Sequence, residues 1–112
     1  DILYLGYDKF IIIERAYSFG RIPTDIKIFL ADASSAEDVS LLSSVKTVPA
    51  SQYISKRLLL DVNKSLSFDI FNIEGVTFGP ILNNGHRSLV LVTDNNFNAK
   101  EKTQFFLFEV LP

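Results

Sequence analysis

Short apolar runs alternate with turn-forming clusters along the whole chain. ILYLG, FIIIERAY, IKIFLADA, ISKRLLLDV, EGVTF, SLVLVT and QFFLFEV are rich in Ile, Val, Leu and Phe, and Gly, Asn, Asp or Pro separates them. Runs of this length with such boundaries predict β-strands. The expected strands are Ile2–Gly6, Phe10–Tyr17, Ile26–Ala33, Ile54–Val62, Glu74–Phe78, Ser88–Thr93 and Gln104–Val110. Asn83–Gly85 is the strongest hairpin signal, because Asn and Gly tolerate the positive φ of tight turns. One segment departs from the pattern. In SSAEDVSLLSSV, Ser34 and Glu37 have the spacing of a capping box, and Val39, Leu42 and Val45 share one helical face. A short helix near Ala36–Ser44 is therefore expected.

Strict alternation is missing from several strands. FIII, RLLL, LVLV and FFLF are apolar on both faces, whereas a half-exposed antiparallel strand alternates apolar and polar residues. Tight hairpin signals argue against parallel strands with helical crossovers. The expected fold is mostly β, with antiparallel sheets stacked face to face like two blades of a β-propeller. Four strands fall in a unit over residues 1–63. Three more fall in a unit over 71–112, which lacks a fourth strand. Two blades cannot close a ring, so the 112 residues read as one domain fragment, from the C-terminal part of a longer propeller. Uncovered faces and open edges then predict self-association of this fragment.

Composition removes several functions. The net charge is −2, from 11 basic and 13 acidic residues, so no basic surplus exists to bind a phosphate backbone and no nucleic-acid partner is expected. The chain has no Cys, hence no disulfide, no thiolate nucleophile and no cysteine-ligated metal. No run approaches the roughly 18 apolar residues of a membrane-spanning helix. There is no P-loop, dinucleotide fingerprint or Gly-x-Ser-x-Gly elbow, and no organic cofactor is expected. The single histidine, His86, lies in a hairpin and reads as surface. Asn63–Ser65 spells a glycosylation sequon, a match of only three residues.

Phe71 to Val110, FNIEGVTFGPILNNGHRSLVLVTDNNFNAKEKTQFFLFEV, resembles the C-terminal end of the phytase-like family, the esterase-like activity of phytase. The shared pieces are Asn72–Gly75, Phe78–Pro80, Gly85, Asp94–Asn98 and Thr103–Phe105. Upstream, Phe10–Ser18 and Lys56–Val62 are similar to strands of the same family. The resemblance implies a β-propeller much longer than this chain, periplasmic or extracellular, that hydrolyses phosphoesters or other esters. It supplies no agreed catalytic residues.

Those residues follow from chemistry. Antiparallel neighbours bring the start of one strand beside the end of the next, so Asn72 and Glu74 should share a blade end with Asp94, Asn95 and Asn96. Carboxylate and amide oxygens gathered there suit Ca²⁺ held by Asn72, Glu74 and Asp94, or a metal-held phosphate. The competing reading is that these Asx residues cap turns with their own backbone. Glu14 and Arg15 must point to opposite faces of their strand. Glu14, with Glu74 and Asp94, is a candidate to activate water or hold the metal. Arg15 is a candidate phosphate grip, with Tyr17, Arg57, Asn95 and Asn96 as further substrate contacts. The alternative for Glu14 and Arg15 is an inter-blade salt bridge to Arg57 or Asp61. The expected ligand is a small phosphorylated or ester substrate if the propeller is catalytic. Otherwise it is a non-catalytic propeller that binds a ligand or protein.

Overall fold

A computed structural model describes residues 1–16, 25–68 and 70–111. Seven strands form two antiparallel sheets. The first holds β1 (Ile2–Gly6), β2 (Lys9–Ala16), β3 (Asp25–Asp32) and β4 (Ser55–Asp61), in that order. The second holds β5 (Ile73–Phe78), β6 (Ser88–Thr93) and β7 (Phe105–Glu109), also in sequence order. Each sheet is thus a meander, and the four-plus-three grouping expected from the turns is the one that forms. The sheets resemble two propeller blades. No helix among the described residues is long and apolar enough to cross a membrane.

The hairpins follow from their turn residues. Gly6 pairs with Lys9 across a two-residue loop, and Tyr7 and Asp8 both take positive φ, 52° and 56°. That is the backbone a tight hairpin needs for its twist to match the strands. Asp8 oxygen then accepts a bond from Ala33 nitrogen at 2.8 Å, tying the turn to the end of β3. At the second hairpin Leu82 nitrogen donates to His86 oxygen, and Gly85 supplies the positive φ, 84°.

One core lies between the sheets. The register sets Ile11 opposite Leu30, Ile13 opposite Ile28 and Arg15 opposite Ile26. These residues therefore share the face of the first sheet that meets the second. Ile11, Ile13, Ile26 and Ile28 pack there with Ile73 of β5 and Leu91 of β6. Each buried side chain of this size stabilises the fold by about 1.5–3 kcal/mol. A single helical turn, α1 (Val62–Ser65), closes the first unit. Val62 enters the core, and Asn63 Oδ1 accepts a 2.9 Å bond from Ile26 nitrogen at the start of β3. The second faces of both sheets keep exposed apolar side chains, although on the first sheet Glu14, Lys27 and Lys56 share that face and Ala31 is fully buried on it. Ile2, Tyr4 and Leu58 stand exposed on the first sheet, Phe105 and Leu107 on the second.

The helix expected at 36–44 does not form. Residues 36–44 are irregular, and the chain instead makes tight 3₁₀ turns at Val45–Thr47 and Ala50–Gln52. Short polar side chains take the backbone donors that a helix would order. Asp32 accepts from Ser34 nitrogen, Asp38 from Ser40 nitrogen and Ser44 from Lys46 nitrogen. Val39, Leu42 and Val45 remain exposed, so no packing rewards a helical face.

Candidate functional site at one blade end

β1 and β5 both start at the same end of the molecule, and there the candidate residues must be judged. Asp1, just before β1, accepts a 3.0 Å bond from Val76 nitrogen of β5 through Oδ2. The end of β2 lies beside them, because Asp1 oxygen accepts from Ile13 nitrogen at 2.9 Å. A cleft of about 230 Å³ opens between the sheets, lined by Asp1, Ile13, Arg15, Ile73 and Glu74.

Glu74 owes its position to a β-bulge. Ile73 pairs with Thr93 and Gly75 with Val92, leaving Glu74 as the extra residue. A bulge frees one side chain from the two-face alternation and re-aims it. Glu74 consequently reaches the first sheet, where its Oε1 lies 3.2 Å from Arg15 Nη1. Both side chains are partly exposed, so the pair contributes little to stability. Its effect is to fix the guanidinium at the mouth of the cleft through one nitrogen. Asn72 Nδ2 also donates to Glu74 Oε1, and to Asn96 Oδ1 at 3.2 Å.

That amide links the cleft to the loop after β6. Asp94 nitrogen donates to Asn72 oxygen at 3.0 Å, so the start of β5 and the end of β6 do lie together. Within the loop, Asp94 Oδ1 accepts from Asn96 nitrogen, Asn95 Oδ1 from Phe97 nitrogen and Asn98 Oδ1 from Lys100 nitrogen. Asn96 and Phe97 take left-handed φ of 49° and 54°. The amide Nδ2 groups of Asn96 and Asn98 converge on the Glu101 carboxylate at 2.9 and 3.0 Å. Thr93, fully buried, anchors the loop at both ends. Its hydroxyl donates to Lys102 oxygen and accepts from Gln104 nitrogen, each at 2.8 Å. The asparagines are thus mainly turn-formers, while Asn72 and Asn96 carry the connection to Glu74.

The other candidates are placed elsewhere. Glu14 points to the outer face of the first sheet, opposite to Arg15, and pairs with Lys56. Lys56 in turn sits over the Phe29 ring. Arg57 is level with Leu30 and Ile11, four positions down the sheet from Arg15 or roughly 13 Å at strand rise. Among the described residues it forms no ion pair, and Asp61 pairs with Lys64. The salt bridge between blades exists, but Glu74 is the partner of Arg15. Tyr17 lies outside the described residues.

Calcium takes about six to eight oxygen ligands. Among the described residues no three Asp, Glu, His or Cys side chains gather to hold a metal. Glu74 already faces a guanidinium and an amide nitrogen, and Asp94 is the one carboxylate of the expected trio without a cationic partner there. Asp1 and Ile13 escaped the reading of the sequence, because only the stacking of the sheets brings them to Glu74.

Residues 1–97, from β1 through β6 to the tip of the asparagine loop, match the family described as Phytase-like: Esterase-like activity of phytase. No curated protein and no solved structure matches the chain. With a match across most of its length, the chain belongs to the phytase-like family.

Proposed function

We propose that this chain supplies two blades and one ligand-gripping cleft to a β-propeller that hydrolyses a small phosphomonoester or related ester. The observation that carries this reading is Arg15 at the mouth of the cleft. It is held by Glu74 through one nitrogen, which leaves the other N–H donors of its planar fork for a ligand. Such a fork matches a phosphate or carboxylate in two parallel bonds. Glu74 is then a positioning residue, and Asp94, without a cationic partner among the described residues, is the candidate to accept a proton from water. The family description supports the ester-cleaving class.

Inorganic phosphate binding to the chain, followed by calorimetry, tests the grip: Arg15→Ala is expected to abolish it. Hydrolysis of 4-nitrophenyl phosphate by an assembled propeller, reduced at least 100-fold by Asp94→Asn, tests the chemistry. The two blades alone hold only part of a central site and are expected to be inactive.

A second reading rests on the ion pairs. Glu14 and Glu74 are each tied to a cation, which suits carboxylates that lock strand ends in a ligand- or protein-binding propeller. Phosphate binding without turnover, across metals and esters, would decide for it.

A further inference from the structure

The hairpin between β5 and β6 carries the pair Asn84–Gly85, which the cleft does not use. Gly85 nitrogen donates to Leu82 oxygen and Leu82 nitrogen to His86 oxygen, each at 2.8 Å, and Gly85 takes positive φ. That is a short loop closed by a glycine bulge. An asparagine before glycine is also a chemical liability. The glycine nitrogen, once it gives up its proton, can attack the asparagine Cγ. A C–N bond forms, ammonia leaves, and water then opens the cyclic imide to aspartate or isoaspartate. Sterics do not prevent this here, since even a Cβ at Gly85 would meet nothing within 4 Å among the described residues.

Hydrogen bonds stand in the way instead. The Gly85 proton that must leave is held by Leu82 oxygen. The Asn84 carboxamide is pinned at both of its polar atoms. Its Oδ1 accepts from His86 nitrogen at 3.1 Å, and its Nδ2 donates to Glu109 Oε1, at the end of β7, at 2.6 Å. The His86 ring holds the same oxygen, with Nδ1 2.6 Å from it. Both bonds favour the charged form of the Glu109 carboxyl, the one from His86 more strongly.

We propose that Asn84 is a latent modification site. The clasp of Glu109 and His86 keeps it an amide while the hairpin is closed, and opening of the hairpin lets it convert to aspartate or isoaspartate. Local openings of this kind precede global unfolding. Conversion runs one way. The new carboxylate stands where the amide donated to Glu109, so a hydrogen bond becomes a repulsion between like charges. The clasp then no longer forms as before. Every contact the site needs lies between Leu82 and Glu109.

Peptide mapping by mass spectrometry, after incubation of the chain in mildly alkaline buffer, tests the proposal. The folded chain is expected to keep Asn84 intact, while the urea-unfolded chain deamidates there at least about tenfold faster. Glu109→Ala is expected to raise the rate in the folded chain about tenfold, the equilibrium weight of one hydrogen bond to a charged group. Asn84→Asp, which mimics the product, is expected to lower the melting temperature at neutral pH. A folded wild type that deamidates as fast as in urea, a Glu109→Ala chain no faster than the wild type, or an Asn84→Asp chain as stable as the wild type would each overturn the proposal. Far-UV circular dichroism checks that Glu109→Ala folds, and Glu109→Ser replaces it if it does not.

Discussion

Two residues near the ends of β6 show how little freedom the second sheet leaves. Gly79 lies where a Cβ would come within 2.5 Å of Ser88 Oγ and 2.9 Å of Val90 Cγ2. Ser88 is fully buried and its hydroxyl donates to Pro80 oxygen at 2.6 Å, so it cannot swing away without losing that bond. Gly79→Ala is therefore expected to destabilise the chain by about 1–3 kcal/mol, measured by urea unfolding. Thr93→Val keeps the shape but deletes the hydroxyl that holds the asparagine loop. A loss of about 1–3 kcal/mol is expected, with faster hydrogen exchange through residues 94–103. Glu74→Gln separates position from stability. It should cost under about 1 kcal/mol, as an exposed ion pair does, yet weaken phosphate binding by releasing Arg15.

Elements were legible where local pattern decides them. The expected strands agree with β1–β7 to within a residue or so, because apolar runs and turn residues act over a few positions. The opposite directions of Glu14 and Arg15 follow from strand geometry alone, and the structure has them so. The helix at 36–44 failed for a definable reason. Ser and Asp are both the signals of a helix N-cap and the formers of Asx turns, and only packing chooses between them. The site was legible by halves. Asn72 and Asp94 meet through neighbouring strands, which the sequence orders. The Arg15–Glu74 pair needs a bulge and the stacking of two sheets, and neither leaves a mark in a local window.

At the scale of the whole molecule, acid should loosen several connections together. Lys9 holds the Asp32 carboxyl well below the ordinary range, with help from Ser34; Ser40 lowers Asp38, and His86 lowers Glu109. A carboxylate with a depressed folded pKa stabilises the fold above its unfolded value, near 4, and that stability is lost as pH falls through the folded value. Melting temperature is thus expected to be insensitive to these groups between about pH 5 and 7 and to drop below about pH 4. Asp32→Asn should make that drop shallower; an unchanged slope would remove the Lys9 pair from the account.

The single core between the sheets also governs how the chain must reach its fold. Each hairpin joins near neighbours and can zip within microseconds. The bonds that join the sheets span far more chain, 59 residues for Arg15 with Glu74 and 75 for Asp1 with Val76. Until they dock, each meander has both apolar faces in water and gains little from its own hydrogen bonds. Docking of preformed meanders is then the committing step, and refolding in milliseconds to seconds is expected rather than in microseconds. Substitutions at Ile13 or Ile73 should slow it, while changes in the Tyr7–Asp8 turn should chiefly alter the fast phase.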